Sequence, residues 1–120
     1  MPAEAVTVLY FYRTRWGHHD EFMELFERNH WPFLKAGLED GQYLDVRRFV
    51  PRFHGDGRAD WDLLVSITYR DFAALAQHAP RGLAGELFTD LDKLAADERH
   101  RFALLEAHWD VVLEERPLPR

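Results

Sequence analysis

Apolar residues along the chain recur in two periods. The stretch Val6-Thr7-Val8-Leu9-Tyr10-Phe11-Tyr12-Arg13 is mostly β-branched or aromatic and predicts a first strand over residues 6–13. Val6, Val8, Tyr10 and Tyr12 share one of its faces, while Thr7, Leu9 and Phe11 share the other. A strand with one face in water alternates more cleanly, so both faces are expected to be covered. After Gly17 the period changes to that of a helix, opening near His18-His19-Asp20. Phe22, Met23, Phe26, His30, Phe33 and Leu34 then recur at spacings of three and four. Pro32 removes a backbone donor, which predicts a kink or restart near His30, and the helix is expected to stop by Gly37, helped by Asp40-Gly41. Residues 43–50 and 61–69 predict two further strands, with Leu63, Val65 and Ile67 on one face of the latter. The segment 52–60 between them is polar and glycine-rich and reads as a loop. Asp71 predicts an N-cap for a short helix over 72–78, ended by Pro80 and Gly82. Leu83, Leu87, Phe88, Leu91, Leu94 and Ala95 build an amphipathic helix that runs on through Phe102 and Leu105, with a break expected near Asp97. Residues 108–114 predict a last strand, and 116–120 a tail.

The order is β-α-β-β-α-β, which predicts one α+β domain over residues 1–120, its core at about 6–115. The architecture is the ferredoxin-like split βαβ, an antiparallel four-stranded sheet with helices on one face. The other face is expected to keep Phe49, Leu64 and Val112, an apolar patch of the kind that marks an interface. A second copy of the chain, packed sheet against sheet with twofold symmetry, is the economical cover.

Composition narrows the classes. Of the 120 residues, 47% are hydrophobic and 30% charged, an ordinary balance for a globular chain. The net charge of −6 argues against binding a nucleic-acid backbone, which needs a basic surplus. The absence of cysteine excludes disulfides, zinc ribbons and thiol catalysis together. No apolar run approaches a membrane span and the start of the chain carries no signal-type core, so the expected setting is the cytoplasm, with no membrane partner.

From Val6 to Glu115 the order of elements resembles the dimeric α/β-barrel superfamily. Within it, Phe22-x-x-x-Phe26-x-x-x-His30-Trp31-Pro32-Phe33-Leu34 is similar to the EthD-like and NIPSNAP-like branches, where the first helix ends in His, any residue, Pro and an apolar pair. The resemblance implies a homodimer and a pocket. Its members include cofactor-free monooxygenases of polyketide-type aromatics, haem-degrading enzymes, dye-decolourising peroxidases, lactone isomerases and fungal dehydratases. A shared fold names a pocket rather than a reaction. The 52–60 loop and the 72–78 helix depart from a compact member, and both fall where they could reshape a pocket mouth.

Four residues are the candidate catalytic groups: His30, Tyr10, Tyr12 and Arg47. His30 lies four residues after Phe26 and four before Leu34, on the apolar face, where an imidazole is either a hydrogen-bonded structural group or a general acid/base. Tyr10 and Tyr12 point the same way and either pack or offer hydroxyls to a cavity. Arg47 and Arg48 fall on opposite faces of their strand. A guanidinium beside covered apolar surface pairs with a carboxylate such as Asp45, Asp62 or Asp110, the favoured reading, or offers a fork to an anionic substrate. His18-His19-Asp20 lacks the spacing of a metal site and reads as a solvated helix start. His30, His78 and His108 are the histidines available to a haem, though no spacing selects one. Phosphate-cradling glycine loops and a nucleophile elbow are absent from the sequence.

The expected function is therefore binding of a small apolar or aromatic ligand, with no cofactor required. Its enzymatic form would be a cofactor-free monooxygenase, isomerase or dehydratase of an aromatic or polyketide-like compound. The alternatives are a non-catalytic binding or assembly protein, and a haem-binding or haem-degrading protein. A large cavity with convergent polar atoms separates the first from the second.

Overall fold

The segments of period two form strands and those of period 3.6 form helices. The computed structural model describes residues 4–53, 60–77 and 82–120. In chain order the elements are β1 (Val6–Thr14), α1 (His19–Leu25), a π-helical turn (Phe26–His30), α2 (Trp31–Glu39), β2 (Tyr43–Phe49), β3 (Leu63–Tyr69), α3 (Phe72–Ala76), α4 (Leu83–Leu87), α5 (Leu91–Ala103) and β4 (Leu105–Val112). The four strands make one antiparallel sheet in the order β2-β3-β1-β4. This is the expected α+β arrangement, with the two long crossovers carried by helices.

Val6, Val8 and Tyr12 of β1 and Leu63, Val65 and Ile67 of β3 form the floor of the core, under Phe22, Leu25, Phe26 and Leu34. Burial of such side chains contributes roughly 1.5–3 kcal/mol each, which fixes the register of the two central strands. The opposite sheet face carries Leu9, Phe11, Leu64, Phe49 and Trp109. There Phe11 stacks on Trp109 at 5.2 Å and meets Trp61 edge-on at 5.7 Å.

The structure corrects expectations at three elements. Gly37 does not stop α2, which runs to Glu39. It is buried inside the helix, where any Cβ would overlap the ring of Tyr43, so its role is close approach of helix to strand. Gly41, at φ +82°, makes the turn. The long helix breaks at residues 88–90 rather than near Asp97, because the Asp90 carboxylate accepts from Lys93 N at 2.9 Å and starts α5 afresh. Asp97 is instead a tie within α5, accepting from Lys93 at 3.0 Å and from the buried Asn29 of the π-turn at 3.3 Å. Finally, β4 begins at Leu105 and pairs Val112 with Val8, which puts Val112 on the helix-covered side of the sheet rather than with Phe49 and Leu64. The short helix is confirmed over Phe72–Ala76, with Asp71 accepting from Ala74 N at 2.8 Å. Pro80 and most of the 52–60 loop lie outside the described residues.

Candidate functional site

The kink expected at Pro32 is a π-helical turn. Trp31 N–H reaches back five residues to Phe26 O, and Pro32, with no N–H of its own, stands in the first turn of α2. The wider turn lets Asn29 and His30 both face inward. Such π-turns are frequent at functional sites.

His30 is largely buried, its ring 5.3 Å from that of Phe26. Burial first, and then the positive charge of Arg101, lower its pKa from 6.5 to about 4, against the opposing pull of Glu98. It is therefore neutral at pH 7. Among the described residues, neither ring nitrogen has a hydrogen-bond partner.

Tyr12 packs against Phe26 from the other side, at 6.5 Å, and against Phe22 at 5.4 Å. It lies nearly parallel to His108 of β4, with ring centroids 4.2 Å apart. Burial drives its hydroxyl pKa up to about 12 in spite of the Arg101 cation. His108 is held in that stack by its Nδ1, which is 2.7 Å from Phe11 O, and its Nε2 is 3.6 Å from Asp110. The β1–β4 ladder shifts register between Arg13 and Thr14, just beyond this pair. Bulges are over-represented beside active sites.

Arg101 joins these groups. It is only 1% exposed, and Nε and Nη2 grip the Glu98 carboxylate at 3.1 and 2.8 Å. Its guanidinium also lies 4.6 Å from the ring centre of Phe102 and 5.6 Å from that of Phe22. Nη1 is buried and makes no hydrogen bond of good geometry among the described residues, though the Tyr12 hydroxyl lies close enough to Arg101 for the guanidinium to pull that hydroxyl's pKa down against the effect of burial.

The other two sequence candidates lie outside this centre, Tyr10 toward the far end of β1 and Arg47 at the wall of a neighbouring cleft. The Tyr10 hydroxyl is 2.6 Å from that of Tyr69, whose strand position faces Val6 at the other end of β1. Arg47 is exposed on the opposite sheet face and pairs with Asp45 at 2.9 Å, the favoured reading for that residue. Arg48, on the helix side, meets Glu27 at 2.7 Å. His18 and His100 both approach the exposed Glu21 carboxylate, at 3.3 and 3.0 Å, and among the described residues no group is arranged to hold a metal ion. His78 lies outside the described residues.

Among the described residues, two of the clefts flank the sheet. The larger, about 1290 Å³, opens at the Val6 end of β1 between Phe72 and Val112, far from His30. The smaller, about 410 Å³, lies between the π-turn with α2 and strands β2 and β3; Phe26, Trp31, Leu34, Val46 and Val65 line it together with Glu27, Arg47 and Arg48. Phe26 is thus a wall shared by this cleft and by the His30 centre. The chemistry favours the smaller one, because its apolar walls meet the charged Glu27, Arg47 and Arg48 and it adjoins perturbed titratable groups.

No family model matches the chain, and no curated protein matches it in sequence. Solved structures match it over nearly their whole length. A NIPSNAP family protein from Agrobacterium tumefaciens is 14% identical with a TM-score of 0.60, covering 93% of each chain. An EthD family protein from Bacillus halodurans is 14% identical with a TM-score of 0.56, covering 93% of this chain and 99% of the other. The fold is the ferredoxin-like one. SnoaB from Streptomyces nogalater, a cofactor-independent oxygenase, shares it at 15% identity and a TM-score of 0.55, with 96% of each chain covered. Ferredoxin-like proteins of unknown function from Jannaschia and Bacteroides fragilis that share the fold are dimeric.

Sequence reasoning placed His30 and Tyr12 on facing elements but missed Arg101 and Glu98. A signal was present: Leu94, Glu98, Arg101 and Leu105 follow one another at spacings of four, three and four, which puts Arg101 in the apolar stripe.

Proposed function

We propose that the chain works as a cytoplasmic homodimer that binds a small aromatic or polyketide-like compound between helices and sheet. On this reading the compound's apolar body occupies the cleft walled by Phe26, Trp31 and Val46, and its polar end reaches His30 and Tyr12. The observation that carries the reading is the imidazole itself: neutral, largely buried and, among the described residues, unengaged at both ring nitrogens. A neutral imidazole offers one donor and one acceptor, and can take a proton from the ligand without first losing one. In that step the proton passes from ligand to ring and the electron pair stays on the ligand. SnoaB supports the cofactor-free version, because the same fold hosts a cofactor-independent oxygenase there.

The dimer is supported by the apolar face that carries stacked Phe11 and Trp109, and by the dimeric relatives. Light scattering should give twice the mass of the chain, and a monomer at micromolar concentration would contradict it.

A panel of hydroxylated aromatic compounds tests the ligand site by thermal shift. Ligands should raise the Tm of the wild-type protein, and His30→Asn should fold yet lose most of that rise. A lowered Tm with an unchanged response to ligand would mark His30 as structural and overturn the reading.

A further inference from the structure

The smaller cleft is graded from a dry floor to a charged rim. Phe26 and Val65 at its floor are 3% and 2% exposed, whereas the side chains of Arg48 and Glu27 are 44% and 57% exposed. The two charges come from facing elements, Glu27 from the π-turn and Arg48 from the helix side of β2. Arg48 Nη1 donates to Glu27 Oε1 at 2.7 Å, so the pair spans the cleft from one wall to the other. Arg47 meets the cleft from the same edge strand, but its guanidinium is tied to Asp45 at 2.9 Å on the opposite sheet face. Trp31 lines the cleft and is only partly covered, which leaves an aromatic surface to an occupant.

An ion pair in such a setting contributes little to stability, because water screens both partners and two long side chains lose freedom. The fold therefore gains little from this contact, and its carboxylate can be exchanged for another at small cost. The Glu27 contact also uses one nitrogen only, whereas the planar guanidinium fork can hold a carboxylate by two. We infer that the Glu27–Arg48 pair is an exchangeable clasp at the cleft rim, and that the occupant is an aromatic carboxylate that takes Arg48 over from Glu27. The inference rests on the small-molecule site proposed above and adds the charge of its occupant and the residue that reads it. The aromatic body lies against Phe26, Trp31 and Val46, and the carboxylate stays at the half-exposed rim, so no charge is carried into the dry floor. Arg48 is then a specificity residue and Glu27 its competitor. An uncharged analogue meets the same apolar walls but leaves the clasp closed.

Naphthoate, naphthamide and naphthylmethylamine, each titrated into the full chain at pH 7 by calorimetry, separate the possibilities. Naphthoate should bind the wild type about threefold more tightly than naphthamide, a modest preference because Glu27 must be displaced. Glu27→Gln removes the competitor and should widen the preference to about tenfold, the step expected of one charge-assisted hydrogen bond. Arg48→Gln should abolish the preference while naphthamide still binds. A merely structural pair would not move the two variants in opposite directions. Both side chains are half-exposed, so both variants should melt close to the wild type; should either fail to fold, the comparison on the wild-type protein decides alone. Equal affinity of the wild type for naphthoate and naphthamide would overturn the clasp and leave the small-molecule reading standing. Tightest binding of the amine would make Glu27 the ligand-facing charge and overturn it likewise. Failure of all three compounds to bind in the millimolar range would overturn the inference and the reading beneath it.

Discussion

Acidification from pH 7.5 to pH 4 should cost the fold about 3 kcal/mol through His30 alone, a large share of a small domain's stability. The folded pKa of His30 is depressed from 6.5 to about 4. Between those values the unfolded chain binds the proton and the folded chain does not, so stability rises with pH across that window. It is fully present above pH 6.5 and is lost as the pH falls toward 4. Three physical causes set the shift in this direction: burial of the ring, the Arg101 cation and His108, opposed in part by Glu98. Urea unfolding of the wild-type protein and of His30→Asn at a series of pH values isolates the effect. The difference between the two curves should change by about 3 kcal/mol over the window, since asparagine does not titrate there. Parallel curves would mean that the imidazole is hydrated in the folded state.

Glu98→Ala should be among the most damaging substitutions in the chain, at about 3–5 kcal/mol. The pair is lopsided: the Arg101 side chain is 1% exposed and that of Glu98 27%. Removing the carboxylate strands a guanidinium that water cannot reach, with the Tyr12 hydroxyl as its nearest remaining acceptor among the described residues. Arg101→Met should cost less, because methionine fills the apolar space between Phe22 and Phe102 and leaves Glu98 able to hydrate. The order of the two losses, measured by chemical denaturation at pH 7, is the sensitive quantity. If Glu98→Ala costs under about 1 kcal/mol, the guanidinium is solvated and the cluster is not a dry site.

The architecture was legible in the sequence wherever one periodicity ran without competition. The alternation in β1 and in Leu63, Val65 and Ile67 set the strand faces, and Pro32 located the distortion before α2. Gly37 and the 88–90 break misled for one reason. A glycine or an aspartate reads alike as a terminator, a packing contact or a cap until its neighbour in space is known. Gly37 is small for Tyr43, and Asp90 rather than Asp97 caps α5. The site was half legible. His30 and Tyr12 stood out as polar groups on apolar faces, whereas Arg101 was hidden among the ordinary charges of a helix. Its membership in the apolar stripe depends on counting back from Leu94 and Leu105, and its pairing with Glu98 looks on paper like any solvated i, i+3 pair. The approach of the Tyr12 hydroxyl to Arg101 is a fact of three-dimensional packing with no trace in the sequence.

The titration of His30, followed through its imidazole proton resonances in the ligand-free protein, tests the central claim most directly. A neutral ring buried beside Arg101 predicts a midpoint near 4. It also predicts a rise toward the ordinary value when Arg101 is replaced by glutamine. A wild-type midpoint at about 6.5, the value of a solvated histidine, would contradict the account.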